Sequence, residues 1–434
     1  MYLSMVGKPS TSDGPDAPGG GSRFGGTRRW SVVGGNVFAL GAVSLVTDIS
    51  AEMVTAVLPL YLMIGLHLSP LAYGVVDGTY TGATALLRLV GGYVADRVRR
   101  RKAVATFGYG LSAVCKLGLL AAGASATAIG AVITLDRAGK GLRTAPRDAL
   151  ITLSAPANAL GRAFGVHRAM DSLGAFAGPL VALAVLAAAG QGFDAVFVTS
   201  FCIAAIGVLI LVLFVSDRRE TRPATETVSA HAVTDLVRTG PVRRLLIAAC
   251  LLGFSMIGDG FIYLLLQKRT EVAIGWFPLL AVGTSLVYLL LAAPVGALAD
   301  RVGRLPVMLC GYAALAMVYL LLYAPIGGWL LIVCVLVPHG AFYAATDGVL
   351  MALAGPLLPE RLRTTGIALI QSGQALSYLA SSVLFGIVWQ TWGPALASRM
   401  AALVVLVTMA ASALLLKTQS TTANQDTEHS EANT

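Results

Sequence analysis

The 434-residue chain is short of charge: only 12% of its residues are Asp, Glu, Lys or Arg, and 56% are apolar. A soluble globular domain carries about a quarter charged residues. With a mean hydropathy of +0.77, the composition excludes a soluble protein and places the chain in a bilayer. Aromatic residues are also scarce, at 7%. Trp276, Trp329, Trp389 and Trp392 stand near the ends of apolar runs, where they suit interface anchoring rather than ligand stacking. The five cysteines, Cys115, Cys202, Cys250, Cys310 and Cys334, all lie inside apolar runs without CxxC or metal-type spacing. That argues against a disulfide framework and a thiolate metal centre. His167 and His339 are separate, with no HxxxH spacing, so no metal site is expected. GKGLRT lacks the preceding GxxxxG of a phosphate loop, so Lys140 is not a nucleotide lysine. No convergent nucleophile and base stand out either. Neither an enzyme nor a cofactor is expected.

What the chain has is apolar runs, each long enough to cross about 30 Å of hydrocarbon as a helix. Twelve are expected, at about 36–63, 71–95, 103–123, 126–149, 160–188 and 193–215, then 243–267, 274–299, 306–324, 328–353, 363–388 and 394–416. Residues 1–30 are polar, rich in Gly, Ser and Pro, and lack a signal peptide's apolar core; they are expected to be a disordered tail, as are residues 417–434. A polar linker at 216–242 divides a six-helix bundle at 31–215 from another at 243–416.

Basic residues cluster on one side of this layout. The connections there carry Arg97, Arg99, Arg100, Arg101, Lys102, Arg162, Arg218, Arg219, Arg243, Arg244, Arg301, Arg304 and Arg363 among others. The opposite side carries only Lys268, Arg269 and Arg399. By the positive-inside rule both termini are expected in the cytoplasm, in a multi-pass protein of a bacterial inner membrane. The net charge of +9 is therefore topological, and no nucleic-acid partner is expected.

The halves repeat. Gly92-Tyr-Val-Ala-Asp96-Arg97-Val98 returns as Gly296-Ala-Leu-Ala-Asp300-Arg301-Val302, at an offset of 204 from Asp96 to Asp300. Arg162-Ala-Phe-Gly165 returns as Arg363-Thr-Thr-Gly366 at an offset of 201. Two independent echoes at nearly one offset argue for two homologous bundles related by an axis along the membrane normal.

With twelve helices and a doubled G-x-x-x-D-R loop, the chain resembles a major facilitator superfamily transporter. Gly92, Asp96, Arg97 and Arg100 match the family's loop motif in the first copy, and Gly296, Asp300, Arg301, Gly303 and Arg304 in the second; Arg99 departs, standing where the family has Gly. The resemblance implies an all-α fold of two pseudo-symmetric six-helix bundles and a gating role for this loop. Gly174-Ala-Phe-Ala-Gly178-Pro179 resembles the GxxxGP motif of the superfamily's drug/proton antiporters. Small residues four apart also serve plain helix packing, and an interior Pro permits a bend. Arg137, followed by Gly139 and Gly141, resembles the family's conserved Arg in helix four, with altered Gly spacing.

The most charged stretch is Thr134 to Asp148, TLDRAGKGLRTAPRD. Asp136, Lys140, Arg143 and Arg147 recur at steps of four, three and four, which puts them on one helix face. One such charge at the bilayer centre costs about 2.5–3.5 kcal/mol, so the stripe must face protein or water. Other intramembrane charges supply partners: Asp48 and Glu52 at i and i+4, Asp77, Arg88, Arg168, Asp171, Asp259 and Asp347. Asp48, Glu52 or Asp136 is expected to carry the proton, with Arg137, Lys140 and Arg143 as charge partners or ligands of an anionic substrate; Asp171, Asp259 and Asp347 complete the candidate set. Static ion pairing is the alternative for each. The expected function is proton-driven export of a small molecule or ion by a monomer through alternating access. An importer, for example of a siderophore or organic anion, and a non-transporting membrane sensor are the alternatives.

Overall fold

With no water in the hydrocarbon to satisfy backbone groups, apolar runs close their own hydrogen bonds as helices. The computed structural model describes residues 34–98, 101–123, 125–156, 159–190, 192–217, 235–347, 349–354, 357–359 and 362–431, and among these the long elements are all helical. The first half comprises α1 (Gly35–Leu60), which ends in a wider π turn at Tyr61–Gly65, then α2 (Pro70–Val98), α3 (Arg101–Ala121), α4 (Ala126–Ser154), α5 (Leu160–Ala188) and α6 (Phe193–Phe214). The second comprises α7 (Gly240–Phe254), α8 (Asp259–Thr270), α9 (Pro278–Val302), α10 (Arg304–Leu321), α11 (Gly328–Thr346), the short α12 (Val349–Ala354), α13 (Arg363–Trp392) and α14 (Pro394–Glu431).

Among the described residues ten spans, with α7 and α8 together making one, are long and apolar enough to cross a membrane. Helices α2 and α4 complete the expected twelve. Their apolar character is diluted by Asp77, Arg88, Asp96 and Arg97 in one, and by Asp136 to Asp148 in the other.

Three boundaries differ from expectation. The run at 243–267 is not one helix: it breaks at Ser255–Gly258, where Tyr319 takes over the loose backbone groups, accepting from the Ile257 N–H at 3.1 Å and donating to the Ser255 carbonyl at 3.3 Å. The tenth span ends at Thr346, with 349–354 a separate turn. The last helix runs on to Glu431 instead of ending near 416; its extension contains neither Gly nor Pro, so a helix already nucleated in the apolar span propagates through it. The expected tail at 1–30, Arg99, Arg100 and the bulk of the linker, 218–234, lie outside the described residues.

The sequence repeat is also a packing repeat. Helix α1 packs on α5 and α6, α4 on α2 and α3, and α3 on α6; correspondingly α7 packs on α13 and α14, α11 on α9 and α10, and α10 on α14. The halves meet through α2 with α13, α5 with α9, and α1 with α8. The α2–α13 contact lies at the end opposite the linker. A Cβ on Gly74 would come 2.4 Å from the Ser382 carbonyl, one on Gly78 2.9 Å from that of Leu379, and one on Gly386 2.5 Å from that of Pro70. Glycines four apart let these backbones touch. Tyr73, Phe261 and Phe385 seal the same end, with ring centroids 4.6 and 4.8 Å apart.

Candidate coupling and gating site

The charged face of α4 does not form one site. Along its 29 residues α4 meets α2 and α3, and also α1 and α5, so charges on one face find different partners at different heights.

Nearest the end opposite the linker, Asp136 is enclosed between α3 and α4. Ser112 Oγ donates to it at 2.5 Å and Lys116 Nζ at 3.1 Å, while the Arg137 guanidinium chelates Oδ2 through Nε at 3.0 Å and through Nη2. The backbones are close enough for this because Gly139 and Gly108 are glycines; a Cβ on Gly139 would lie 2.6 Å from the Gly108 carbonyl. Arg137 also stacks over the Tyr80 ring on α2, 3.8 Å from its centroid. Beside them is a small cavity of about 20 Å³ lined by Thr55, Tyr80, Lys116, Asp136 and Arg137, sized for one water.

Lower on α4, the partners change to α1 and α5. Asp48 Oδ1 is 3.9 Å from Arg143 Nη2, and Arg143 stacks on Tyr109 at 4.2 Å. Asp171 on α5 is reached in turn by Arg147, whose Nη1 is 4.0 Å from its Oδ1, so α4 sets a guanidinium against a carboxylate of α1 and another against one of α5. Ser44 Oγ donates to Asp171 Oδ1 at 3.0 Å and accepts from Arg147 at 3.2 Å. Among the described residues neither the Lys140 ammonium nor the Glu52 carboxylate forms an ion pair. The Asp171 side chain is 43% exposed. A charged group at that depth faces water rather than lipid.

The glycines of the GxxxGP segment hold these carboxyls in place. A Cβ on Gly174 would lie 2.5 Å from the Leu45 carbonyl and 3.1 Å from the Asp48 Cβ, and one on Gly178 would lie 2.7 Å from the Glu52 Cβ. Pro179 is buried in the same helix. Helix packing is the observed role of this segment.

The second half brings together a different set. Asp259, in the first turn of α8, accepts from Tyr343 Oη at 2.7 and 2.9 Å and lies 3.3 Å from His339 Nε2, whose Nδ1 is 3.4 Å from Thr284 Oγ1. Asp347, at the end of α11, accepts from Tyr288 at 2.7 Å. No Lys or Arg pairs with Asp259 or Asp347 among the described residues. The Lys–Asp and Arg–Asp pairs of the membrane interior thus belong to the first half, while Asp259 and Asp347 of the second are held by Tyr and His side chains.

Of the doubled loop motif, Gly92, Asp96 and Arg97 fall in the last turns of α2, and Arg100 lies outside the described residues. In the second copy, Gly296, Asp300 and Arg301 end α9. Gly303 turns the chain at φ 107°, a conformation L side chains rarely adopt, and Arg304 opens α10. Asp300 pairs with Arg304 of its own half at 3.9 Å.

Two functional candidates escape the sequence reading. Lys116 is a lone lysine in an apolar run, a visible signal left unused. Asp77 is visible as an intramembrane charge, but its role depends on α13, 301 and 305 residues away in sequence: it accepts from Tyr378 Oη at 2.8 Å and from Ser382 Oγ at 2.7 Å.

The model of the Major Facilitator Superfamily matches residues 40–271 and again 268–433. An MFS-type transporter of Methanocaldococcus jannaschii is 29% identical over 364 residues, 82% of this chain and 88% of the relative. A protein of Mycobacterium tuberculosis is 37% identical over 173 residues, 40% of this chain and 42% of its own. Among solved structures, the nucleoside transporter NupG aligns with a TM-score of 0.76 at 15% identity, covering 88% of this chain and 99% of that one. A POT family transporter in complex with 5-aminolevulinic acid aligns at 0.72 and 13%, covering 88% and 95%.

Proposed function

Since the chain belongs to the major facilitator superfamily and is a membrane transporter of that type, we propose that it works by proton-coupled alternating access and exports a small molecule or ion. The observation that carries this reading is the cluster in which Asp48 of α1 and Asp171 of α5 gather around Arg143 and Arg147 of α4. One proton taken up here leaves a single negative charge on the two carboxyls. Its loss leaves two like charges between those helices, which favours a different packing of α1 against α5. The likeness of Gly174 to Pro179 to the antiporter motif supports export.

The basic connections put the linker end in the cytoplasm. The end sealed by α2 against α13 is then the outer one. Asp136 supports the reading less well than Asp48, because two cations and a hydroxyl already hold it. The proton gradient supplies the energy; about 2.3 kcal/mol per charge per 100 mV sustains roughly a fifty-fold gradient.

The test is proton flux in proteoliposomes on addition of candidate substrates, chosen by screening a deletion strain against metals, oxyanions, siderophores and antibiotics. Asp48→Asn is expected to transport without pH dependence. Unchanged coupling in both Asp48→Asn and Asp171→Asn would overturn the assignment, and uptake with the proton would make the protein an importer.

A further inference from the structure

At the closed end, the described residues make one set of hydrogen bonds between the halves, and all of it converges on Asp77. Tyr378 and Ser382, one turn apart on α13, both donate to Asp77 Oδ2 on α2. On the carboxylate's other flank stands the break in the seventh span: a Cβ on Gly258 would lie 2.3 Å from Oδ2 and 2.7 Å from Oδ1. Gly258 caps α8 with no side-chain cap, so the positive end of that helix faces the carboxylate. No Lys or Arg pairs with Asp77 among the described residues. Around this point the contact is otherwise apolar and close-packed, through Gly74, Gly78 and Gly82 of α2 against Leu379 and Ser382 of α13.

We propose that Asp77, Tyr378, Ser382 and the α8 amino terminus form the latch that holds this end of the transporter closed, with Gly258 required so that the carboxylate can reach its donors. When the halves rock open at this end, α2 and α13 separate. These groups exchange one another for water, so the latch sets the ratio of the two access states rather than touching the cargo. Asp77 is a positioning residue in this scheme. The inference rests on alternating access but not on proton coupling.

Two hydroxyl bonds to a carboxylate are each strong enough that their loss shifts the closed-to-open ratio about tenfold or more. Hydrogen exchange of the full-length protein in lipid nanodiscs reads this without a substrate. In Asp77→Asn, exchange over residues 66–80 and 378–392 is expected to rise severalfold while exchange over 299–306 at the linker end falls. Gly258→Ala, which keeps the carboxylate but displaces it, is expected to do the same. Tyr378→Phe and Ser382→Ala, each removing one donor, should give smaller shifts that are non-additive with Asp77→Asn. These milder variants serve if Asp77→Asn does not fold. Exchange that stays unchanged at both ends, or rises equally at both, would overturn the latch. Proton flux unchanged in both Asp48→Asn and Asp171→Asn, with the exchange shift of the Asp77 variants intact, would sink the coupling assignment instead.

Discussion

Substitutions at Asp136 and Lys116 separate an ion-pair role for Asp136 from a proton-carrying one. Asp136 lies between two cations whose side chains are only 5% (Lys116) and 4% (Arg137) exposed. Asp136→Asn leaves both buried cations without an anion, and breaking a buried ion cluster from its shared partner costs about 3–5 kcal/mol. Lys116→Met nearly conserves volume and leaves Asp136 held by Arg137 and Ser112. It forfeits a charged hydrogen bond worth about 1.5–3 kcal/mol but removes a buried charge in exchange. The expected order of destabilisation is therefore Asp136→Asn first and Lys116→Met well behind, by about 2 kcal/mol. The double variant should recover part of the loss, because only Arg137 then lacks an anion. The assay is reversible unfolding in mixed micelles titrated with SDS, with the double-mutant cycle giving the coupling energy. Equal costs for the two single variants would refute the reasoning. So would an Asp136→Asn protein of normal stability that has lost the pH dependence of transport, since that outcome makes Asp136 the proton carrier.

Gly178→Val drives side-chain atoms into the Glu52 Cβ and the Ile49 carbonyl, which even a Cβ would approach to 2.7 and 2.8 Å. It is expected to cost about 1–3 kcal/mol by overpacking in the same SDS titration, whereas Gly165→Ala on the same helix, with nothing within 4 Å, should be neutral or stabilising. Arg269 at the end of α8 donates to the carbonyls of Leu322, Ala324 and Ile326 at 2.6, 3.0 and 3.1 Å. Arg269→Met is expected to speed hydrogen exchange over 322–328, and Arg269→Lys to rescue it only partly, because an ammonium lacks the planar fork that reaches three acceptors.

The sequence alone determined the class, the twelve spans and the repeat. Inside a bilayer, length and hydropathy are nearly the whole physical requirement for a helix, and a duplicated loop motif leaves its offset in the numbering. It also singled out the intramembrane charges, since their cost makes each one conspicuous. It did not show which of them meet. Asp136, Lys140, Arg143 and Arg147 share a helix face, yet Asp136 belongs with Ser112 and Lys116 of α3, while Arg143 and Arg147 belong with the Asp48, Ser44 and Asp171 cluster of α1 and α5. Periodicity describes one helix, and the partners at each height depend on how its neighbours cross it. The break at Ser255–Gly258 reads as apolar sequence because backbone groups satisfied by Tyr319 leave no mark on hydropathy. Only the tertiary structure placed Tyr378 and Ser382 on Asp77, for a bond between residues three hundred positions apart exists only once both bundles are built and one end of the cleft between them is closed.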